Sequence, residues 1–122
     1  MADRVKIGIA GCGAIARQVH IPLLAKRTDV SIVALAESDP HTLVAVRARV
    51  PSARAYGSLY ELLAEPPDAV IVALPTAAHA EAATAVLEAG CDLYLEKPLG
   101  TEVTEALALL DAWRTSGRIG MM

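Results

Sequence analysis

The sequence predicts an α/β fold: a doubly wound, mostly parallel sheet with helices on both faces. Short apolar runs of strand length alternate along its 122 residues with segments of helical length, as in parallel strands joined by helical crossovers. Apolar residues make up 54% of the chain and charged residues 20%, enough apolar material for a sheet buried on both faces. This length is typical of one domain, so we predict a single domain over residues 1–122.

The strands are predicted from apolar and β-branched runs over residues 5–10, 30–36, 54–56, 68–74 and 92–95, of which 54–56 is the weakest. The predicted helices cover residues 13–27, 40–50, 76–89 and 101–116, and a short helix from residue 58 ends before Pro66. An apolar stripe runs along the first helix, where Pro22 is expected to kink or shorten it. The stripe consists of Ile15, Val19, Leu23 and Leu24. Residues 118–122 indicate the start of a further strand.

Local signals mark several helix ends. Asp39 before Pro40 predicts a carboxylate N-cap followed by proline at the first helical position. Ser58 and Glu61 have the spacing of a capping box. Gly90 after the Ala-rich helix is a predicted left-handed C-cap.

Composition excludes several classes of function. The net charge of -3 and the lack of a Lys/Arg cluster argue against nucleic acid as a main partner. Cys12 and Cys91 have no paired spacing, which fits a reducing compartment, so the cytoplasm is the expected location. No apolar run approaches the roughly 18 residues of a membrane helix, and no signal peptide is visible, so we expect neither a membrane partner nor secretion. We predict no metal site.

The turn after the first strand carries the fingerprint of a dinucleotide site. It reads Gly11-Cys12-Gly13-Ala14-Ile15-Ala16 and lies between a predicted strand and a predicted helix. Gly11 permits the tight turn, Gly13 lets the backbone approach a pyrophosphate, and Ala16 keeps the helix close to the strand. The start of the helix offers N–H groups to the phosphates. We therefore predict a Rossmann-type site for NAD(H) or NADP(H); the alternative is a tight turn without a ligand.

Glu37 ends the next strand about twenty residues further on, where an acidic residue accepts hydrogen bonds from the adenosine ribose. Its charge would repel a 2′-phosphate, so we prefer NAD over NADP. NADP stays open, since Ser38 could bind a phosphate and Arg47 or Arg49 could reach the region. The alternative for Glu37 is a solvated residue at the end of a strand.

Two further segments follow strands, at the sheet edge where open α/β folds bind ligands. Leu74, Pro75, Thr76 and His79 follow or end the fourth strand, and Glu96-Lys97-Pro98 follows the fifth. Taken alone, His79 is more readily an ordinary first-turn residue of a helix. Lys97 alone is as readily a common exposed lysine before a proline.

Together these segments resemble the Gfo/Idh/MocA family, named for glucose-fructose oxidoreductase and inositol 2-dehydrogenase. Three blocks match in order: Ile9 to Ala16, Leu74 to His79, and Glu96-Lys97-Pro98. The Glu-Lys-Pro block is the most specific, because dinucleotide folds in general do not need it. His20 and Pro22 also look like the family's sequence after the glycine turn, and the resemblance covers essentially the whole chain.

The resemblance implies an NAD(P)-dependent oxidoreductase acting on CH–OH groups of a sugar, inositol or related polyol. By residue, it implies a cofactor crevice lined by Leu74, Pro75, Thr76 and His79, with Glu96 near the nicotinamide half. It places Lys97 beside the transferred hydride, where the lysine orients or polarises the reacting oxygen, and it implies a cis Lys97-Pro98 peptide. Thr76 departs from the Asn common at that position.

Family members continue into a second, mostly β domain that supplies the substrate pocket, a proton-transferring histidine and usually the oligomer interface. We predict that this C-terminal domain is absent from the chain, which would then bind the cofactor without a complete active site. The alternatives are a standalone NAD-binding or sensing module that regulates a protein partner, and a structural domain that has lost nucleotide affinity. An uncovered apolar surface would favour a dimer or larger homo-oligomer.

Overall fold

Six parallel strands form the sheet in a computed structural model that describes residues 3–122. The strands are β1 Val5–Ala10, β2 Val30–Ala36, β3 Arg54–Tyr56, β4 Ala69–Val72, β5 Asp92–Leu95 and β6 Gly120–Met121. Their order across the sheet is β3-β2-β1-β4-β5-β6. From β1, the chain adds β2 and β3 on one side of the sheet. It then returns and adds β4, β5 and β6 on the other side of β1. This topology confirms the predicted doubly wound fold.

The switch between the two halves lies at β1, which pairs with β2 on one side and β4 on the other. Ile9 is opposite Leu35 of β2 and Ile71 of β4. In open α/β sheets, such a switch point at the carboxyl ends of the strands forms the ligand crevice.

The helices lie between the strands. They are α1 Ile21–Ala25, α2 Pro40–Arg49, α3 Leu59–Leu63, α4 His79–Glu88 and α5 Val103–Ser116. A π-helical turn, Ala16–His20, precedes α1, and a 3-10 turn, Thr76–Ala78, precedes α4. Within residues 3–122, no helix combines the length and apolar character needed to cross a membrane.

The predicted caps are present. The Asp39 carboxylate accepts from the Thr42 N–H at 3.2 Å, and its hydrogen bonds with Thr42 hold the pKa of Asp39 below its usual value. The Ser58 hydroxyl accepts from the Glu61 N–H at 3.2 Å. Gly90 is left-handed, with φ of +82°. These local signals predicted the marked helix ends correctly. Two elements, β4 and α5, are shorter than predicted.

The first helix differs from its predicted apolar stripe. Ile15, Val19 and Leu23 are 41%, 37% and 59% exposed, while Ala16 and Ile21 are buried. The Ile21 N–H donates to the Ala16 carbonyl, five residues back, as in a π-helix. This wider turn just before the proline rotates the helix, so three of the four residues of the predicted apolar stripe are exposed and only Leu24 packs against the core.

The core has two layers, one on each face of the sheet. Alternate strand residues point to opposite faces, so Val70 and Val72 belong to one layer and Ile71 to the other. The first layer is completed by residues of α3, α4 and α5, such as Leu109. The second is completed by α1 and α2, through residues such as Val46. Helices on both faces thus leave the strand ends free to carry a site.

Candidate functional site

The predicted site residues lie along one edge of the sheet. Gly11 follows β1, Glu37 follows β2, Leu74 comes shortly after β4 and Glu96 follows β5. The strands are parallel, so all four residues are at the carboxyl-end edge. The structure therefore brings the separate sequence segments to one crevice.

Gly11 is required by its surroundings. Its φ is +92°, in the left-handed region, and a Cβ there would lie 2.5 Å from the carbonyl oxygen of Ala73. The Gly11 N–H donates to the Ala36 carbonyl at 2.8 Å. The turn is thus packed between the ends of β2 and β4, with no room for a side chain.

Gly13 has the opposite environment. A Cβ added at Gly13 would meet no heavy atom within 4 Å, and the residue is exposed together with Ala14 and Ile15. Ala16 is fully buried against the second core layer. The start of the first helix is consequently held close to the sheet while the backbone around Gly13 faces open space.

The Glu37 carboxylate is fixed by two backbone donors. One oxygen accepts from the Cys12 N–H at 3.0 Å and the other from the Asp39 N–H at 2.9 Å. An ionised carboxylate has about four acceptor positions, so it retains capacity for further donors. These bonds argue against the alternative in which Glu37 is a freely solvated residue at the end of a strand. Glu37 is half-buried and is held against the glycine turn.

The three side chains that could bind a 2′-phosphate, those of Ser38, Arg47 and Arg49, have different surroundings. Ser38 is exposed between Glu37 and Asp39. Arg47 donates from Nε to the Ala53 carbonyl at 3.3 Å, and Arg49 donates to the Arg17 carbonyl at 3.0 Å. Both arginines are therefore engaged with backbone oxygens.

Cys12 anchors the glycine turn to the protein interior. Its N–H donates a hydrogen bond to the Glu37 carboxylate, and its side chain is fully buried. Burial, with the nearby Glu37 charge, raises the pKa of the Cys12 thiol to about 11. Cys91 is also buried, and burial raises its pKa.

Both thiols should resist alkylation in the folded protein. With a pKa of about 11, roughly one Cys12 thiol in a thousand is ionised at pH 8, and the thiolate is the reactive form. We expect mass spectrometry to find little iodoacetamide adduct at pH 8 until urea unfolds the chain. Rapid labelling of Cys12 without urea would contradict its described burial.

A cavity of about 230 Å³ opens beside Glu37. Three polar residues in its wall were not predicted as site residues: Ser58, Tyr60 of α3 and Glu81 of α4. The Tyr60 hydroxyl donates to the Glu81 carboxylate at 2.5 Å, which raises the pKa of Tyr60. The only sequence signal for Tyr60 is its place after β3, at the same sheet edge. The cavity is lined by Glu37 and is large enough to hold an aromatic ring.

The segments after β4 and β5 form the other half of the crevice. Leu74 and Thr76 are half-buried, and Pro75 is exposed between them. Lys97 is exposed at the end of β5, and its peptide bond with Pro98 is cis, as the family resemblance implied.

His79 is only 2% exposed and contacts both segments. Its Nδ1 lies 2.6 Å from the Pro98 carbonyl oxygen, and its Nε2 lies 2.8 Å from the Leu74 carbonyl oxygen. The ring therefore lies beneath the crevice surface with both nitrogens engaged by backbone atoms.

His20 contacts Glu96 at the same edge. Its Nε2 lies 2.6 Å from the Glu96 carboxylate, and its ring packs edge-on to Tyr94 with centroids 5.4 Å apart. The side chains of His20 and Glu96 are 11% and 21% exposed. The pair joins the first helix to the end of β5, a long-range contact that the sequence did not predict.

These residues fit a dinucleotide. A crevice at the switch point offers open space at Gly13, the first N–H groups of a helix and a fixed carboxylate beside a cavity. Phosphates can approach the first two features, and ribose hydroxyls can donate to the third. The exposed Lys97 stands on the other side of the switch point, where the second nucleotide half of such folds lies.

Comparison with known proteins agrees with this geometry. The sequence model of an oxidoreductase family with the NAD-binding Rossmann fold, Gfo/Idh/MocA, matches residues 5–122. An uncharacterised oxidoreductase of Rhizobium meliloti is 37% identical over 117 residues, which cover 95% of this chain and 35% of the relative. D-glucoside 3-dehydrogenase of Escherichia coli is 30% identical over 116 residues, covering 94% of this chain and 33% of the relative.

A solved structure shares the fold. The dehydrogenase WlbA of Bordetella pertussis, in complex with NADH and UDP-GlcNAcA, superposes with a TM-score of 0.91 at 28% identity. The match covers 98% of this chain and 37% of WlbA. The chain thus spans about a third of the length of the proteins it matches. With the family model matched from β1 to the last residue, the chain belongs to the Gfo/Idh/MocA oxidoreductases and is their NAD-binding Rossmann domain.

Proposed function

We propose that this chain holds NAD(H) for an oxidoreductase that acts on CH–OH groups of a sugar, inositol or related polyol. The observation that carries the proposal is the common sheet edge of Glu37 and Lys97, on opposite sides of the switch point. Glu37 is suited to bind the adenosine ribose, and Lys97 is suited to contact a reacting oxygen near the nicotinamide.

The glycine turn positions the cofactor in this account. Backbone N–H groups around Gly13, Ala14 and Ile15 bind the pyrophosphate, aided by the positive end of the helix dipole. The Glu37 carboxylate accepts from the ribose hydroxyls, and the cavity beside Tyr60 takes the adenine ring. The negative charge of Glu37 disfavours a 2′-phosphate, so NAD is the preferred cofactor.

Lys97 acts at the other half of the crevice. The bound nicotinamide supplies the hydride chemistry, and the Lys97 ammonium donates a hydrogen bond that orients and polarises the substrate oxygen. Leu74, Pro75 and Thr76 line the nicotinamide side. Glu96, held by His20, borders the same region.

The substrate class is proposed from relatives. One is named D-glucoside 3-dehydrogenase, and another, from Corynebacterium glutamicum, is named inositol 2-dehydrogenase. Each extends well beyond the third of its length that matches this chain. Hydride transfer needs a substrate carbon held in near-attack geometry, and we place that pocket in the part of such proteins outside the match.

Backbone NMR with NADH tests the proposal. We expect saturable shift changes in Gly13, Glu37, Tyr60 and Lys97, and none in the exposed Glu65, which pairs with Arg54 at the amino end of β3. Changes spread evenly over the chain, or confined to residues away from the strand ends, would overturn the assignment.

A turnover assay tests the division of labour. We expect no robust NADH production when this chain is incubated with NAD and a panel of sugars and inositols. Robust turnover would contradict the proposed location of the substrate pocket outside the matched part. The relatives named above are oxidoreductases and dehydrogenases, so they do not favour the alternative of a regulatory NAD-sensing module.

We also propose that the exposed face of α5 promotes self-association. Val103, Leu107 and Leu110 are exposed at helical spacing, so they form an apolar stripe. We expect light scattering to show a mass that rises with concentration, and Leu107→Glu to abolish the rise. A constant monomer mass for the unmodified chain would refute this proposal.

A further inference from the structure

Arg17 places a positive charge beside the glycine turn. Its side chain turns back along the first helix, and its Nε–H donates to the Gly13 carbonyl at 3.3 Å. The Arg17 backbone N–H donates to the same oxygen at 3.1 Å. Long side chains in a helix point toward its amino end, so this direction is the ordinary one. The guanidinium is therefore held next to the exposed Gly13 backbone.

Most of the Arg17 guanidinium is available for a ligand. An arginine side chain has five N–H donors, and the bond to Gly13 uses only the one on Nε. Among residues 3–122, no carboxylate forms an ion pair with Arg17, whose side chain is exposed. Three other arginines, by contrast, pair with acidic side chains: Arg27, Arg54 and Arg118. Arg17 thus presents an unneutralised charge and free donors to the crevice.

The glycine turn itself lacks such a charge. The Gly11 N–H donates to the Ala36 carbonyl and the Cys12 N–H to Glu37, so neither is free for a phosphate. The Glu37 carboxylate also repels the negative charge of a pyrophosphate, and a nearby cation offsets this repulsion. Burial and the Glu37 charge raise the pKa of the Cys12 thiol, and the Arg17 charge opposes them. The field of Arg17 therefore extends to the turn.

We propose that Arg17 binds the pyrophosphate of the cofactor, with its terminal guanidinium nitrogens donating to phosphate oxygens beside Gly13. The role rests on the proposed function, because it requires a dinucleotide in this crevice. Arginine suits the role, since its planar fork of donors matches phosphate oxygens and an arginine side chain is always charged. Backbone N–H groups of the turn orient the phosphates, and Arg17 supplies the positive charge that these neutral groups lack.

Calorimetric titration of Arg17→Gln with ADP-ribose and NADH tests the assignment. Both ligands contain the pyrophosphate, and neither contains a 2′-phosphate. We expect both affinities to fall about tenfold, the value of a hydrogen bond to a charged group. Arg27→Gln is the matched control, because it removes the same charge from a residue that pairs with Asp29 before β2. Unchanged binding by Arg17→Gln, or an equal loss in Arg27→Gln, would overturn the proposal.

Charge and salt separate a phosphate contact from a structural role. Arg17→Lys keeps the charge but not the fork of donors, so its ADP-ribose affinity should lie between those of the unmodified chain and Arg17→Gln. Raising NaCl from about 0.05 to about 0.5 M should weaken binding more in the unmodified chain than in Arg17→Gln, because salt screens the attraction that the variant lacks. Equal affinities of the two variants, or an equal salt dependence with and without Arg17, would overturn the proposal.

The same titrations distinguish failure of this inference from failure of the proposed function. If the folded, unmodified chain binds neither ADP-ribose nor NADH at millimolar concentration, the proposed function and the role of Arg17 are both wrong. If the unmodified chain binds both ligands and Arg17→Gln binds them equally well, the crevice remains the cofactor site and only the role of Arg17 is wrong.

Discussion

Gly11→Ala is expected to lower the free energy of unfolding by about 2–4 kcal/mol, because it combines backbone strain with overpacking. The new Cβ would lie 2.5 Å from the Ala73 carbonyl oxygen, at a φ of +92° that side chains rarely adopt. Neither the Ala73 backbone, at the end of β4, nor the turn can move without breaking sheet hydrogen bonds. Urea unfolding followed by circular dichroism measures the loss.

Gly13→Ala is the matched control and has the opposite expected profile. Its Cβ meets nothing within 4 Å, so the free energy of unfolding should change by less than about 1 kcal/mol. The methyl group would project into the space proposed for the pyrophosphate, so NADH affinity should fall about tenfold or more. If the two variants are equally destabilised, or if Gly13→Ala binds NADH normally, the separate roles of the glycines are wrong.

Glu37→Gln is expected to remove the preference for NAD over NADP. The amide keeps the size of the side chain, but it loses the charge that repels a 2′-phosphate and one acceptor for ribose hydroxyls. One of the two backbone donors, the N–H of Cys12 or of Asp39, would also face an N–H₂ group. We therefore expect a loss of about 1–2 kcal/mol in folding stability and about tenfold in NAD affinity.

Calorimetric titration with NAD and NADP in parallel measures this preference. Glu65→Gln is the control for the loss of a charge, because Glu65 is exposed and pairs with Arg54 at the surface at 3.3 Å. That variant should bind both cofactors as the unmodified chain does. An unchanged NAD preference in Glu37→Gln would place cofactor discrimination elsewhere.

The sequence predicted most of the fold because its signals were local. Caps such as Ser58 and left-handed glycines such as Gly90 act within a few residues, and the apolar runs were long enough to identify each strand. Even the weak pattern at 54–56 is a strand, β3, paired with β2. The alternation of strand and helix predicted a doubly wound parallel sheet, but it did not predict the strand order, which only the structure shows.

The errors and omissions came from interactions that local patterns do not encode. The π-helical turn before Pro22 changed which side of the first helix is buried, leaving Ile15 exposed. The Tyr60–Glu81 bond requires α3 and α4 to meet. The His20–Glu96 contact joins residues separated by 76 positions, which only the sheet order brings together.

The candidate site, like the fold, could be predicted from local patterns only in part. The glycine turn and Glu37 could be located from spacing, because the fingerprint is contiguous in a strand, a turn and a helix. The bonds that fix Glu37, and the burial of His79 beneath the crevice, depend on tertiary packing. The sequence therefore located the glycine turn and Glu37, and tertiary packing determines how each is held.

Binding of NAD(H) at the carboxyl ends of the strands is the property on which the proposed function depends. It can be measured by calorimetric titration of the unmodified chain with NADH, with Gly13→Ala titrated beside it. We expect saturable binding of one NADH per unmodified chain and a much weaker signal for the variant. A folded chain that shows no binding at millimolar NADH would refute the assignment of this crevice as the cofactor site.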